Sequence, residues 1–535
     1  MMKVEVQIQN FLLDRNRTKL VMSRMLTRLV CRASALRRSN VIQTLQSITT
    51  VYTQRMAFTT MKEVPEVAHV IQSHPANDPS TMKSALTSIN PSKDILAVKE
   101  PISSLAKHLI DSIKINGPIS TAQFMRQALI HPLGGYYMKG KVFGPHGDFI
   151  TSPEINQMFG ELMAIWFMNH WQTVVASKST PTGAFQYQSI PSTAPQKPFN
   201  IIELGPGRGT LMADMLTTLT QLKTSTINPL NAVHLVEASP ELRKTQAQML
   251  NCTMDPLENS TYRPGDGTTV TGTTSQGVKV YWHDTFDCIP VDETVASFII
   301  AHEFFDAMPV YKFQKTEQGW REIMVDLDET PTLPYNFRFI CAPSATKASV
   351  ALMQPTVTDR FANVQIGERI ELAPDVVGVS KAIAERVAND GGIALFVDYG
   401  RDHVIDDSLR GIRNHKIVHP LSMPGDCDLS ADVDFSAIQH AVKGIANAYG
   451  PVPQGLFLEK MGIGARAMAL IQGATDNKTK AAVVAAYERL VDPDAMGQAY
   501  KIMAITSSTT VPYALEPFQH HTEPSVDDEP FNPHK

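Results

Sequence analysis

Over residues 101 to 505, short apolar runs alternate with longer stretches whose apolar positions recur every three or four residues. The short runs, Phe199–Leu204, Ala232–Val236, Val278–Trp282, Val295–Ala301 and Ile393–Val397, have the length and composition of buried strands. The periodic stretches predict helices. One is carried by Leu105, Leu109, Ile110, Ile113 and Ile115, and another begins at Ile119–Met125 with Ser120 or Thr121 as cap. A third is predicted from Ile155 to Trp171, with Pro153 in its first turn. Later helices are expected over Asp375–Val387, near Val433–Val442 and Ala465–Leu470, and over Lys480–Leu490, the last closing the ordered part. Val310–Phe313 and Arg321–Val325 alternate around Gln318-Gly319, a hairpin signal. Phe337–Cys341 and Arg369–Leu372 read as further short strands. Strands alternating with helices imply an α/β fold with a doubly wound, mainly parallel sheet. The expected organisation is an N-terminal extension over 1–62, a linker over 63–100, a helical region over 101–172, the sheet domain over 199–505 and a disordered tail over 506–535. Polar stretches over 173–198 and 251–277 read as surface insertions. No internal repeat is visible.

The chemistry concentrates where Phe199–Leu204 runs out. Gly205, Gly207 and Gly209 follow at once, and Leu211, Met212, Met215 and Leu216 then begin a helical face. Glycines here let the chain bend sharply and let a ligand approach the peptide groups, with the free N–H groups of the helix aimed at it. A dinucleotide fingerprint would need its third glycine at Thr210. The observed E-x-G-x-G-x-G, from Glu203, resembles motif I of class I S-adenosylmethionine (SAM) methyltransferases more than a NAD site. Glu237 ends the next strand, where this fold needs an acceptor for ribose hydroxyls. Ser239 and Pro240 then cap and start the following helix. Glu203, Glu237, Asp284, Glu303 and Asp398 all fall at or just past strand carboxyl ends, where open α/β sheets bind ligands. Backbone at Gly205 and Gly207 would accommodate the methionine part and ribose of SAM. Glu203 could hold its ammonium, Glu237 its ribose, and Asp284 its adenine amino group. Glu303 and Asp306 could grip a guanidinium through paired hydrogen bonds and so direct a nitrogen at the methyl group. Helix capping is the alternative role for that pair.

Composition narrows the picture. A net charge of −5 gives no global field for nucleic acid. Cys31, Cys252, Cys288, Cys341 and Cys427 are scattered and odd in number, which argues against a disulfide framework and a structural zinc site. No apolar run approaches a membrane span. From Arg15 to Lys62 there are ten basic residues and no acid, with Arg24, Arg28 and Arg32 at helical spacing. That is the composition of a mitochondrial transit peptide. Glu5 and Asp14 are foreign to such a leader, and Met22 would open a cleaner one. Processing is expected near Arg55-Met56.

The motifs together resemble the MidA family of SAM-dependent methyltransferases. They are Gly134-Gly-Tyr-Tyr-Met138, Gly147-Asp-Phe-Ile-Thr-Ser-Pro-Glu-Ile155, Phe159-Gly-Glu-Leu162, Glu203–Thr210, Glu303-Phe-Phe-Asp-Ala-Met-Pro309, Val397-Asp-Tyr-Gly400 and Ala431-Asp-Val-Asp-Phe435. The resemblance implies a Rossmann-like class I methyltransferase sheet with an N-terminal helical region and inserted β-hairpin elements. It further implies SAM as cofactor and symmetric dimethylation of an arginine in a peripheral-arm subunit of complex I, in the mitochondrial matrix. Asp148, Thr151, Ser152 and Glu154 fall in the hallmark loop of the family, which reads either as a lid over cofactor and acceptor or as a helix-capping segment. His302 stands where bacterial members tend to have Asn. A SAM-binding assembly chaperone of complex I is the second reading, and a NAD-dependent enzyme the third.

Overall fold

The computed structural model describes residues 102–139, 151–177, 197–222, 230–255, 270–329, 336–403, 405–507 and 517–518. The expected leader and linker, Asp148, the interiors of both polar insertions and nearly all of the tail lie outside the described residues.

The main sheet is built, in chain order, from β1 (Phe199–Leu204), β2 (Leu230–Val236), β3 (Cys252–Met254), β4 (Val270–Thr274), β5 (Lys279–His283), β6 (Ala296–His302), β7 (Gly392–Arg401), β8 (Asn447–Pro453) and β9 (Tyr500–Thr506). Their spatial order is β8-β9-β7-β6-β1-β2-β5-β4-β3, with Val433–Asp434 pairing β7 as a tenth strand. β5, β2, β1, β6 and β7 run parallel. The flanking strands are antiparallel. The chain therefore reverses its direction of winding between β1 and β6, and the switch-point crevice opens at their carboxyl ends.

Adjacent apolar residues in β1 point to opposite layers. Ile201 packs in one core with Phe159, Phe167 and Met212, and Ile202 in the other with Ile299, Ile383 and Phe396. Both faces are thus covered, which is why these strands read as solid apolar runs. Beneath the first layer, Arg466 clasps Glu161 through two hydrogen bonds of 2.6 and 2.8 Å.

Three expectations need correction. The third predicted helix is broken: Ser152–Ile155 forms a single turn, Asn156 is extended and caps Met158 N–H at 3.1 Å, and the long helix runs Met158–Ser177. The 251–277 stretch is not all loop, because its described ends form β3 and β4. The ordered part does not close with the helix Asn477–Val491, for β9 follows and pairs along the whole inner length of β7. β9 is apolar on both faces without alternation, so no period gave it away.

The predicted hairpin is present as Tyr311–Thr316 and Gly319–Leu327. It joins Ile119–Ser120, Phe337–Cys341 and Arg369–Leu372 in a separate five-stranded antiparallel sheet. The helices Ser104–Asn116 and Thr121–Ile130 pack against that sheet through Leu105, Phe124 and Met125, with Val325 and Phe337 opposite. No helix among the described residues is long and apolar enough to cross a membrane.

Candidate active site

Backbone hydrogen bonds carry each predicted residue one step beyond its strand. Gly205 N–H donates to Val236 O at 3.0 Å, Glu237 N–H to His283 O at 2.9 Å, and Glu303 N–H to Val397 O at 2.9 Å. The ladder thereby fixes three neighbouring strand ends at the mouth of one cleft. The cleft has a volume of about 2070 Å³, and Glu203, Gly205, Gly207, Glu237, Asp284, Glu303 and Asp306 all line it. Pockets for small ligands usually span ~300–1,000 Å³, so there is room for a cofactor and a segment of a larger partner together. Fifteen Asp and Glu line it against eight Arg and Lys, an excess that favours cationic ligands. Among the described residues no cluster could hold a metal ion.

The glycine loop is built for close approach. Gly205, Gly207 and Gly209 take φ of 64°, 52° and 87°, the left-handed region that glycine enters freely. A Cβ on Gly205 would sit 2.8 Å from Phe304 Cδ2. Gly209 stands behind the wall as N-cap of the helix Thr210–Gln221, so it shapes the loop rather than lining the cleft. Arg208 reaches back to Glu154, 3.7 Å away, and ties the loop to the Thr151–Glu154 segment.

The acids differ in how they are held. Glu203 is only 2 % exposed, and its Oε2 has no hydrogen-bond partner. Burial alone pushes its carboxyl up to about 8. A buried carboxylate oxygen without a donor is costly unless a cation or donor comes to it, and the cofactor ammonium expected here fits that need. Glu237 is pre-oriented. Its Oε1 accepts from Ser239 N–H at 2.8 Å and its Oε2 from Gln246 Nε2 at 3.1 Å, while burial pushes it up to about 7. A carboxylate has about four acceptor positions, which leaves capacity for ribose hydroxyls. Asp284 is bonded by Arg243 Nη2 at 2.5 Å, so one of its oxygens is already engaged within the chain.

Sequence reading missed Gln246. Fully buried, it also donates to Gly207 O at 2.8 Å and accepts from Trp282 Nε1 at 2.9 Å. It thus locks loop, acid and strand together. Nothing in Thr245-Gln246-Ala247 marks it, since the role arises from three segments meeting.

Residues 303–309 form turns rather than a helix, so Glu303 and Asp306 cap nothing. The turn is gathered by Asp398, whose Oδ2 accepts from Phe305 N–H at 2.9 Å and Asp306 N–H at 3.2 Å. Glu303 Oε1 accepts from the Tyr500 hydroxyl at 2.6 Å, and Asp306 Oδ2 from Ser430 Oγ at 2.9 Å. Burial and then the charge of Asp306 push Glu303 up to about 8. Burial pushes Asp306 up to about 6. Asp398, wholly buried beside both, is pushed well above the carboxylate range. His302 is buried edge-on to Phe159, and desolvation lowers it to about 3, so it stays neutral.

These acids set a pH dependence. Each holds its proton more tightly in the folded chain than in the unfolded one. Glu203 and Glu303 therefore contribute stability below about pH 4.5 that is lost as pH rises toward about 8. The Glu203→Gln variant is expected to melt at progressively higher temperature than wild type as pH is raised from 6 to 8, and a cationic ligand should narrow that gap. Differential scanning fluorimetry across that range checks both. An equal pH slope for the two proteins would remove the claim that Glu203 is buried against its charge.

Comparison with known proteins finds relatives over most of the chain. Residues 162–452 match the profile of a family described as "Putative S-adenosyl-L-methionine-dependent methyltransferase". The human protein arginine methyltransferase NDUFAF7, mitochondrial, is 37 % identical over 407 residues, 76 % of this chain and 84 % of that protein. The NDUFAF7 homolog of Drosophila melanogaster is 38 % identical over 405 residues, 75 % and 84 % of the two chains. A crystal structure from Burkholderia thailandensis with S-adenosyl-homocysteine bound is similar with a TM-score of 0.57 and 25 % identity, covering 77 % of this chain and 94 % of that one.

Proposed function

Because this chain belongs to that SAM-dependent methyltransferase family, we propose that it is a mitochondrial protein arginine methyltransferase that dimethylates an arginine symmetrically. We assign it a peripheral-arm subunit of complex I as substrate, in the matrix. The observation that carries this reading is the buried carboxylate group of Glu303, Asp306 and Asp398 beside the glycine loop. Two acids in one turn and a third beneath it on β7, all held against burial, are matched by a cation with several N–H donors, and the planar fork of a guanidinium pairs with carboxylates through two bonds at once.

In this reading Glu203 takes the ammonium of SAM, the peptide groups at Gly205 and Gly207 lie against its methionine part and ribose, Glu237 accepts from the ribose, and Asp284 faces the adenine. The cofactor supplies an electrophilic methyl group on a sulfonium. Glu303 and Asp306 hold the guanidinium with one nitrogen facing that methyl. The work of the protein is then positioning and exclusion of water. A guanidinium entering between the carboxylates favours their ionised forms, so kcat/KM for the protein acceptor is expected to rise with pH up to about 8, where burial has placed Glu303.

Mass spectrometry of complex I subunits from cells with and without this protein tests the substrate. A dimethylarginine present in one and missing from the other is the expected result. Identical dimethylation in both would end the proposal. The size and acidity of the cleft also suit a protein that only holds a subunit, and loss of catalysis without loss of complex I would favour that second reading.

A further inference from the structure

Behind Glu303 stands a pair of tyrosines that the roles above leave unused. Tyr399 in β7 and Tyr500 in β9 are register partners across the antiparallel pair. Their rings lie 4.0 Å apart, centroid to centroid, and their hydroxyls are bonded at 2.5 Å. Tyr500, 1 % exposed, donates its one proton to Glu303 Oε1 at 2.6 Å. A phenol has a single donor, so when Glu303 is ionised and takes the Tyr500 proton, the bond between the hydroxyls is donated by Tyr399. The chain is therefore directional, Tyr399 to Tyr500 to Glu303, and each bond strengthens the next. Arg410 lies over the Tyr399 ring at 5.7 Å and is itself anchored by Asp432 at 2.6 Å.

Glu303 needs such support. Its φ of 48° is in the left-handed region, unusual for a residue with a long side chain. Of the groups facing its carboxyl, Asp306 and Glu154 oppose its negative charge, as does Asp398. His302 Nε2 lies 3.8 Å away and is neutral. The Tyr500 hydroxyl and the Ser152 backbone favour the charge.

We propose that Tyr500 is the positioning residue of the acceptor site, fixing which way the Glu303 carboxylate faces, and that Tyr399 orders the Tyr500 proton for that task. The inference rests on the acceptor role proposed for Glu303, and its test includes a readout independent of methyl transfer. In the full chain, Tyr500→Phe removes one hydroxyl and keeps the ring. The Glu303 carboxyl then loses a donor that favours its charged form, so the fall in melting temperature with rising pH starts at the same pH but extends roughly one pH unit higher. In a Glu303→Gln background the same substitution moves nothing. With the complex I peripheral-arm subunits as acceptors, kcat falls roughly tenfold while KM for SAM holds.

Tyr399→Phe, which leaves the Tyr500–Glu303 bond in place, gives smaller changes in the same direction and serves if Tyr500→Phe does not fold. Unshifted pH profiles, or a shift that persists in the Glu303→Gln background, overturn the inference. Absence of methyl transfer by the wild type would instead refute the proposed activity and leave the titration result to decide the tyrosine role.

Discussion

Replacing Glu303 by glutamine is expected to slow methyl transfer by about a hundredfold or more, the loss typical when one pre-aimed charge contact is removed from a water-poor site. The substitution keeps shape and keeps an oxygen for the Tyr500 hydroxyl. It removes the negative charge and puts an N–H pair where a guanidinium would donate. SAM binding is expected to be unchanged, because Glu203, the glycine loop and Glu237 belong to the carboxyl ends of β1 and β2 rather than of β6. Stability should move the opposite way. Glu303 is pushed up to about 8 by burial and by Asp306, so at pH 8 the wild type bears the cost of an ionised buried acid and the variant does not. A variant that melts higher at pH 8 and transfers little is the signature of a site strained for its task. Single-turnover rates with bound SAM, beside melting curves, measure both. Wild-type turnover by Glu303→Gln would disprove the acceptor role.

Gly205→Val is expected to weaken SAM binding by at least about a hundredfold, or ~3 kcal/mol, and to lower the melting temperature as well. Two causes act together. The φ of 64° is hostile to a β-branched residue. The new Cβ would also stand 2.8 Å from the ring of Phe304, next to Glu303. Backbone strain alone can be separated from the loss of space. Gly277 has φ of 83°, but a Cβ there would meet nothing within 4 Å, so Gly277→Val should cost stability and leave binding intact. Isothermal titration with SAM on both variants gives the comparison. Normal affinity in Gly205→Val would mean that the cofactor does not rest against this bend.

Much of the framework was legible because burial leaves a period. β1, β2, β5, β6 and β7 are covered on both faces, and each reads as an apolar run close to its true limits. The glycine spacing announced the loop, since only glycine enters the left-handed region at Gly205, Gly207 and Gly209 without penalty. The acids at the strand ends could be picked out because a parallel sheet gathers its carboxyl ends on one edge. The β9 strand escaped notice because a short run of nearly unbroken apolar character suits a buried helix equally well. With it went Tyr500, which has no neighbour in sequence that hints at Glu303. Gln246 was invisible for the same reason.

The sequence by itself determined the class of sheet, the glycine turn at the cleft and the presence of acids around it. These are local properties, written in the spacing of apolar residues and glycines. Only the tertiary structure decided how each acid is held: Glu203 with an unpaired buried oxygen, Glu237 bonded from two sides, Asp284 engaged by Arg243, and Glu303 braced by a tyrosine from a strand 197 residues away. Charge state and aim depend on desolvation and on partners brought from distant segments, and neither exists until the chain has packed.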